Sequence, residues 1–395
     1  MPARIEALVN PDLLRWARRS AGLEVEVAAK KVPVDPARLE TWEGGLARPT
    51  VKQLRKLARA YKRPLALFYL SEVPGDFSPM RDYRRLPGQV AGLQSPELRY
   101  EIRRALSRRE IALELVESAR GVPRRFVLEC ELGQDPDEVA ALFRAGLGVT
   151  LENQFAWRPG YDSLNRWRTA VEHLDVLVFQ LTDVDSSETR GFSLSEHPLP
   201  VIALNVKDQP SARTFTLLHE LTHLALRKGG LCDLDGHSAR PPEELTTEVF
   251  ANMVAGATLM PREALLSEPA VRSQGGPESW EDDQLKSLSD RYGVSREAML
   301  RRLLVLGRTT ERFYRAKRDQ YQREYEEWFG NREPGFAPPY RTAISSAGPV
   351  FVQIVLANYH QENITASDVA DFLDVKLKHL ARIEAEVLET GGVAA

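Results

Sequence analysis

Five residues near the middle of the chain, His219-Glu220-Leu221-Thr222-His223, have the types and the spacing of a metal centre with its own base. On a helix, residues four apart project from the same side, so both imidazoles can reach one ion. Imidazole suits zinc. Glu220, beside the first histidine, is placed to take a proton from water and pass it to a leaving amine. Catalytic zinc usually takes three protein ligands and keeps a fourth position open, so a third ligand must lie elsewhere. The candidates downstream are Asp233, Asp235, His237, Glu243, Glu244 and Glu248. Cys232 is close enough in sequence to consider, but a thiolate ligand normally keeps the company of other cysteines. Among these only Glu248 opens a convincing second helix, Val249 to Met260, stopped by Pro261, and it is the ligand this reading selects. Asn252 follows one turn later on the same face, where its amide would hold the second nitrogen of a ligand histidine. With 7 histidines in 395 residues, the pentapeptide arises by accident on the order of once in a hundred such chains, so its surroundings must carry part of the argument.

Those surroundings are ordered. Leu217, Leu218, Leu221, Leu224 and Ala225 recur at helical spacing and give the motif helix an anchoring face, and Lys228-Gly229-Gly230 reads as its stop. Before it come three short apolar runs bounded by turn residues, 175–181, 191–194 and 200–204, which predict a small sheet. Helices are predicted on either side: 96–119, rich in arginine, then 284–291, 296–306 and 311–329. Tyr314, Tyr321, Tyr325 and Trp328 fall on one face of the last of these, as a packing stripe would. The stretch 72–79 mixes proline, glycine and polar residues and reads as a linker, and the cluster 331–339 introduces a final helical module in which Thr365 caps Ala366 to Phe372. The domains expected are 1–72, a linker and helical region 73–134, a catalytic domain 135–308, and a C-terminal module 309–395. The last would suit a homodimer contact, substrate docking or a second nucleic-acid contact.

The N-terminal 72 residues read as four short helices with tight stops. Gly22 ends the first, Asp35 caps a helix opened by Pro36, Gly44-Gly45 ends it, and Thr50 caps the fourth. This part carries 14 Lys and Arg against 8 Asp and Glu, whereas the whole chain has a net charge of -3, so the N-terminal part alone is suited to a polyanion. Hydrophobic residues make up 43% and charged residues 28%, which excludes a fibrous or wholly disordered chain. Only Cys130 and Cys232 are present, too few for a disulfide scaffold. No apolar run reaches the roughly 20 residues of a membrane span and no signal peptide opens the chain, so the expectation is a cytoplasmic protein without a membrane contact.

The motif with Ala203-Leu204-Asn205 and Arg213-Thr214-Phe215-Thr216-Leu217 before it, and Glu248-Val249-Phe250-Ala251-Asn252 and Leu259-Met260-Pro261 after it, resembles the ImmA/IrrE family of zinc metallopeptidases over about residues 135–307. The resemblance implies a thermolysin-like zincin domain of the α+β class. His219, His223 and Glu248 then correspond to the metal ligands, Glu220 to the general base, and zinc, or manganese in vitro, to the metal. It also implies a DNA-binding repressor as the protein substrate, cut at few positions in a stress or mobile-element response. Many members place a glutamate directly before Ala-Asn where this chain has Phe250, so the third ligand rests on Glu248. An oxyanion donor is expected, with Tyr292 and His237 as candidates.

Residues 5–70, with Trp42-Glu43-Gly44-Gly45 and Arg48-Pro49-Thr50, resemble the Xre-type, lambda-repressor-like helix-turn-helix domain. In that fold the third helix enters the major groove of double-stranded DNA. Ala37, Arg38, Glu40 and Thr41 would then face base edges, while Lys30, Lys31, Arg48 and Lys52 would reach phosphates. Glu24 is a poor cap for the second helix and Glu40 would repel phosphates, which fits a protein-docking module instead. The fold expected overall is multi-domain: an all-α helix-turn-helix domain, an α+β zincin domain with a small sheet, and an all-α C-terminal module. The rival to a peptidase is a DNA-binding transcriptional regulator whose zinc site is structural, sensory or vestigial.

Overall fold

A computed structural model of the chain describes residues 6–73, 95–119, 121–122, 125–227, 230–232, 242–330 and 338–391. The described residues divide into two compact units, 6–73 with 95–104, and 105–391.

The first unit contains α1 (Pro11–Ser20), α2 (Val25–Lys31), α3 (Pro36–Glu43) and α4 (Val51–Ala60), followed by a 3-10 turn at Leu65–Tyr69 and the first residues of α5 (Pro96–Ser118). Its boundaries are set by local chemistry. Asn10, Asp35 and Thr50 each accept a backbone N–H at the start of α1, α3 and α4, and Gln53 returns the bond to Thr50. Proline opens α1 and α3, where a missing N–H costs nothing. After α1, Gly22 turns the chain at φ 70, a left-handed conformation that glycine adopts without strain. Glu24 makes no side-chain cap on α2, as its type predicts. Leu13, Leu14, Leu39, Trp42, Leu54, Leu57 and Tyr61 fill the core and are almost inaccessible. Through this core runs one ion pair. Arg18 Nε and Nη2 donate to the two oxygens of Glu43 at 2.8 and 3.0 Å, and Nη1 donates to the Leu23 carbonyl at 2.8 Å. The helix-turn-helix layout expected from the sequence is present.

The second unit continues through α6 (Pro136–Leu147), α7 (Leu151–Ala156), α8 (Tyr161–Glu172), β1 (Leu177–Leu181), β2 (Gly191–Leu194), β3 (Val201–Asn205), α9 (Pro210–Ala225), β4 (Gly230–Cys232) and α10 (Pro242–Leu259). After these come α11 (Arg262–Ser267), α12 (Pro269–Arg272), α13 (Asp282–Tyr292), α14 (Arg296–Val305), α15 (Glu311–Gly330), α16 (Pro339–Ala347), α17 (Pro349–His360), α18 (Ala366–Phe372) and α19 (Leu380–Gly391). The three predicted strands form, and β4 joins them in the order β1-β3-β2-β4. β1 runs parallel to β3, while β2 is antiparallel to both of its neighbours. Every residue of β1, β2 and β3 is buried, which is why these strands read as near-continuous apolar runs rather than as alternating ones. α9 lies across β2 and β3 with α8 and α10 at its flanks, and α16 and α17 pack on β1. At the α16–α17 corner Gly348, at φ 86, comes so close that an added Cβ would lie 2.6 Å from the Val178 carbonyl oxygen. Tyr314 and Tyr321 of the aromatic stripe are core residues whose hydroxyls donate to Glu297 and Asp282. The side chains of Tyr325 and Trp328 lie outside the described set.

Polar groups are also buried against β1. Arg168 pairs with Glu172 at 3.1 Å, and Gln180 accepts from Arg213 at 2.9 Å and Arg168 at 3.2 Å while donating to Ser345 Oγ at 2.8 Å. Burial pushes the Glu172 carboxyl up to about 7 against the opposing pull of Arg168. A carboxyl raised on folding contributes stability that is full below its unfolded pKa of about 4.5 and is lost as pH rises through about 7. Urea titrations between pH 4.5 and 7.5 are therefore expected to show the wild-type midpoint falling relative to that of Glu172→Gln. Parallel curves for the two proteins would show that Glu172 titrates normally.

Two boundaries differ from the sequence reading. α9 ends at Ala225, with Arg227 turning the chain at φ 56, before the expected Lys228-Gly229-Gly230 stop, and Gly230 instead begins β4. The buried face runs on through Ala225 to the half-buried Leu226, and the exposed Arg227 follows it. α10 begins at Pro242, so Glu248 lies inside the helix rather than opening it. Proline tolerates the first helical turn, and Pro242 rather than Glu248 is the residue of that kind.

Candidate metal centre

α9 carries His219, Glu220 and His223 into the space between the sheet and α10, and α10 supplies Glu248 from the opposite side. All four side chains are buried, at 0, 0, 2 and 2% exposure. The two Nε2 atoms face each other 3.1 Å apart. The Glu248 carboxylate straddles them, with Oε2 3.4 Å from His219 Nε2 and Oε1 3.4 Å from His223 Nε2. Tetrahedral zinc with bonds of about 2.0–2.1 Å spaces its ligand atoms about 3.3 Å apart. The separation of the two imidazole nitrogens is close to that spacing, and one ligand atom from each of the three residues lies within 4.8 Å of the other two. Two imidazole nitrogens turned toward each other also need a cation or a proton between their lone pairs, which a shared ion supplies. Among the described residues these three are the only group of ligand-type side chains gathered within 4.8 Å. The donor set and its geometry therefore fit a first-row divalent ion, and the sequence choice of Glu248 over the other acidic residues agrees with this placement.

Electrostatics separate the two glutamates. Burial alone would raise Glu248, but the hydrogen bonds and charge of His219 and His223 outweigh it and hold the carboxyl far below its ordinary range, as a ligand carboxylate must be. Glu220 is shifted the other way. Burial pushes its carboxyl up against the pull of His223, His219 and the Ser193 hydroxyl, with Glu248 adding a little in the same upward direction. One carboxylate is thus a fixed anion and the other a proton acceptor of enhanced basicity.

The remaining predicted residues fall into three groups. Asn252 is 9% exposed, one turn along α10 from Glu248. His219 Nδ1 has no hydrogen-bond partner among the described residues, so the orienting bond expected from Asn252 is not made there. Tyr292 is fully buried, and its hydroxyl donates to Glu268 Oε1 at 3.2 Å while its ring meets Phe155 edge-on. An oxyanion role for it would require that bond to be given up. His237, like Asp233 and Asp235, lies outside the described residues. In the first unit, Arg38, Arg48 and Lys52 are exposed on α3, after it and on α4, and Thr41 is half-buried with its hydroxyl donating to the Arg38 carbonyl at 2.7 Å. Sequence reasoning missed Ser193. Nothing in the run 191–194 marks it, because every residue of β2 is buried and the helix that crosses the strand is set by the fold.

No described helix is long and apolar enough to cross a membrane. No curated protein matches the chain. Residues 171–304 match the family model of the IrrE N-terminal-like domain, a span that contains the sheet, the cluster of His219, His223 and Glu248, and α10 through α13 with most of α14. Residues 12–68 match a helix-turn-helix domain. The two matches fall in the order that the motifs suggest, a helix-turn-helix domain followed by a region similar to the IrrE N-terminal-like domain.

Proposed function

We propose that the chain is a zinc endopeptidase that cuts a DNA-associated repressor protein in a stress or mobile-element response. The observation that carries this reading is the convergence of His219, His223 and Glu248 beside Glu220, a buried carboxylate of raised basicity. Zinc held there would supply Lewis acidity to a carbonyl and to water. Glu220 would take the proton from the attacking water and hand it to the departing amine. The wall of β2 excludes bulk solvent from the same carboxylate. The helix-turn-helix domain would bring this chemistry to proteins on or near DNA, with Arg38 and Thr41 toward base edges and Arg48 and Lys52 toward phosphates.

The near-complete burial of the four side chains favours a second reading, a DNA-binding regulator whose metal is structural or sensory, since a polypeptide must reach a catalytic ion. One experiment separates them. The purified chain, loaded with zinc or stripped by a chelator, is incubated with a repressor encoded beside it on its operator DNA, and fragments are read by mass spectrometry. Zinc-dependent cleavage at one or a few bonds is expected. Intact repressor in both arms, together with operator binding by this chain that changes with zinc, would establish the regulator instead.

A further inference from the structure

Gly191 and Ser193 lie on the face of β2 turned toward α9. A Cβ added at Gly191 would sit 2.8 Å from Thr216 Cγ2 and 3.7 Å from Glu220 Cγ, so the strand backbone passes directly beneath the motif helix. Two residues on, Ser193 points the same way. It is fully buried, and neither its Oγ nor either oxygen of Glu220 has a completed hydrogen bond to a described residue. The hydroxyl is nevertheless near enough to favour the charge of Glu220. A buried carboxylate and a buried hydroxyl left without other partners are costly apart and satisfied together. The remaining members of the site already answer to the metal position: both Glu248 oxygens and both Nε2 atoms point at it.

We propose that Ser193 is a positioning residue for the general base. In the working site its hydroxyl donates to one Glu220 oxygen from the β2 side and leaves the other oxygen to hold the reacting proton. Gly191 serves the same arrangement by letting β2 approach α9 closely enough for the bond to form. The proposal deepens the peptidase reading and rests on it.

The full chain loaded with cobalt(II) tests this, because the ion's visible spectrum reports both metal binding and ligand exchange. The probe is acetohydroxamate, whose proton must pass to the base when it binds the metal. Loss of one hydrogen bond to a charged group costs about tenfold in affinity or more. Ser193→Ala is expected to weaken acetohydroxamate about tenfold with cobalt affinity within twofold of the parent, and Ser193→Thr, which keeps the hydroxyl, is expected to recover most of the loss. Acetohydroxamate affinity within twofold of the parent in Ser193→Ala would overturn the proposal. So would equal loss of cobalt and hydroxamate in both variants, since that marks a packing role. A Glu220→Gln arm distinguishes the two levels: if it leaves hydroxamate binding unchanged, the general-base reading itself has failed, whatever Ser193 does.

Discussion

Glu220→Gln is expected to slow peptide-bond cleavage by about 10²–10⁴-fold, or roughly 3–5 kcal/mol in the barrier, with the metal still in place. The separation of effects follows from the geometry. The three atoms that gather around the metal position belong to His219, His223 and Glu248, so the substitution removes no ligand. It removes the proton acceptor alone. Glutamine has the same shape and can accept from Ser193, so the fold is spared and even relieved, because a fully buried carboxylate whose ionisation is opposed by burial is replaced by a neutral amide. The variant should therefore melt at the same temperature or higher while its turnover collapses, a trade that marks an active-site acid or base. Metal content by elemental analysis, melting temperature and single-turnover cleavage make the comparison. A variant that cuts at the parental rate, or that loses its metal along with its activity, would remove Glu220 from the role of base.

The metal site was legible in the sequence because most of it is local. His219 and His223 are fixed relative to each other by one helical turn, and the apolar positions 217, 218, 221 and 224 fix how that helix is anchored. Glu248 was identifiable as the acidic member of the cluster, yet its position along its own helix was not, since a helix boundary depends on a few tenths of a kcal/mol per residue and shifts easily. The three apolar strands of the sheet were visible for the same reason as the motif. The three-residue β4 was not, because so short a strand exists only through its pairing with Gly191, Phe192 and Ser193. The role of Ser193 was hidden likewise: nothing in Gly191-Phe192-Ser193-Leu194 says which helix will cross it. For Tyr292 the sequence shows only a residue type suited to an oxyanion donor, whereas the fold sends its hydroxyl to Glu268.

The ion pair in the first unit is the other contact that only the fold reveals, since its partners stand 25 residues apart in sequence and no spacing rule joins them. Glu43→Gln is expected to destabilise this unit by about 3–5 kcal/mol, because it strands the Arg18 charge where water cannot reach it. Arg18 and Glu43 are only 7 and 4% exposed, so little solvent screening reduces the effect. A unit this small has roughly 5 kcal/mol to lose, and the variant should populate its unfolded form appreciably at 37 °C. Because Glu43 is the last residue of α3, the damage falls on the helix that carries Arg38 and Thr41, and binding of double-stranded DNA should fall with stability. Metal content of the second unit should not change. Hydrogen exchange followed by mass spectrometry reports each unit separately, and the α1 and α3 peptides should lose protection while α9 and α10 keep theirs. The double variant Arg18→Met with Glu43→Leu removes both charges and leaves none stranded, so it is expected to recover most of the loss. A stability change below about 1 kcal/mol for Glu43→Gln, the scale of an exposed pair, would show that water reaches the pair in solution. Failure of the double variant to recover would instead show that the bond from Arg18 to the Leu23 carbonyl, rather than the charge pair, holds the turn between α1 and α2.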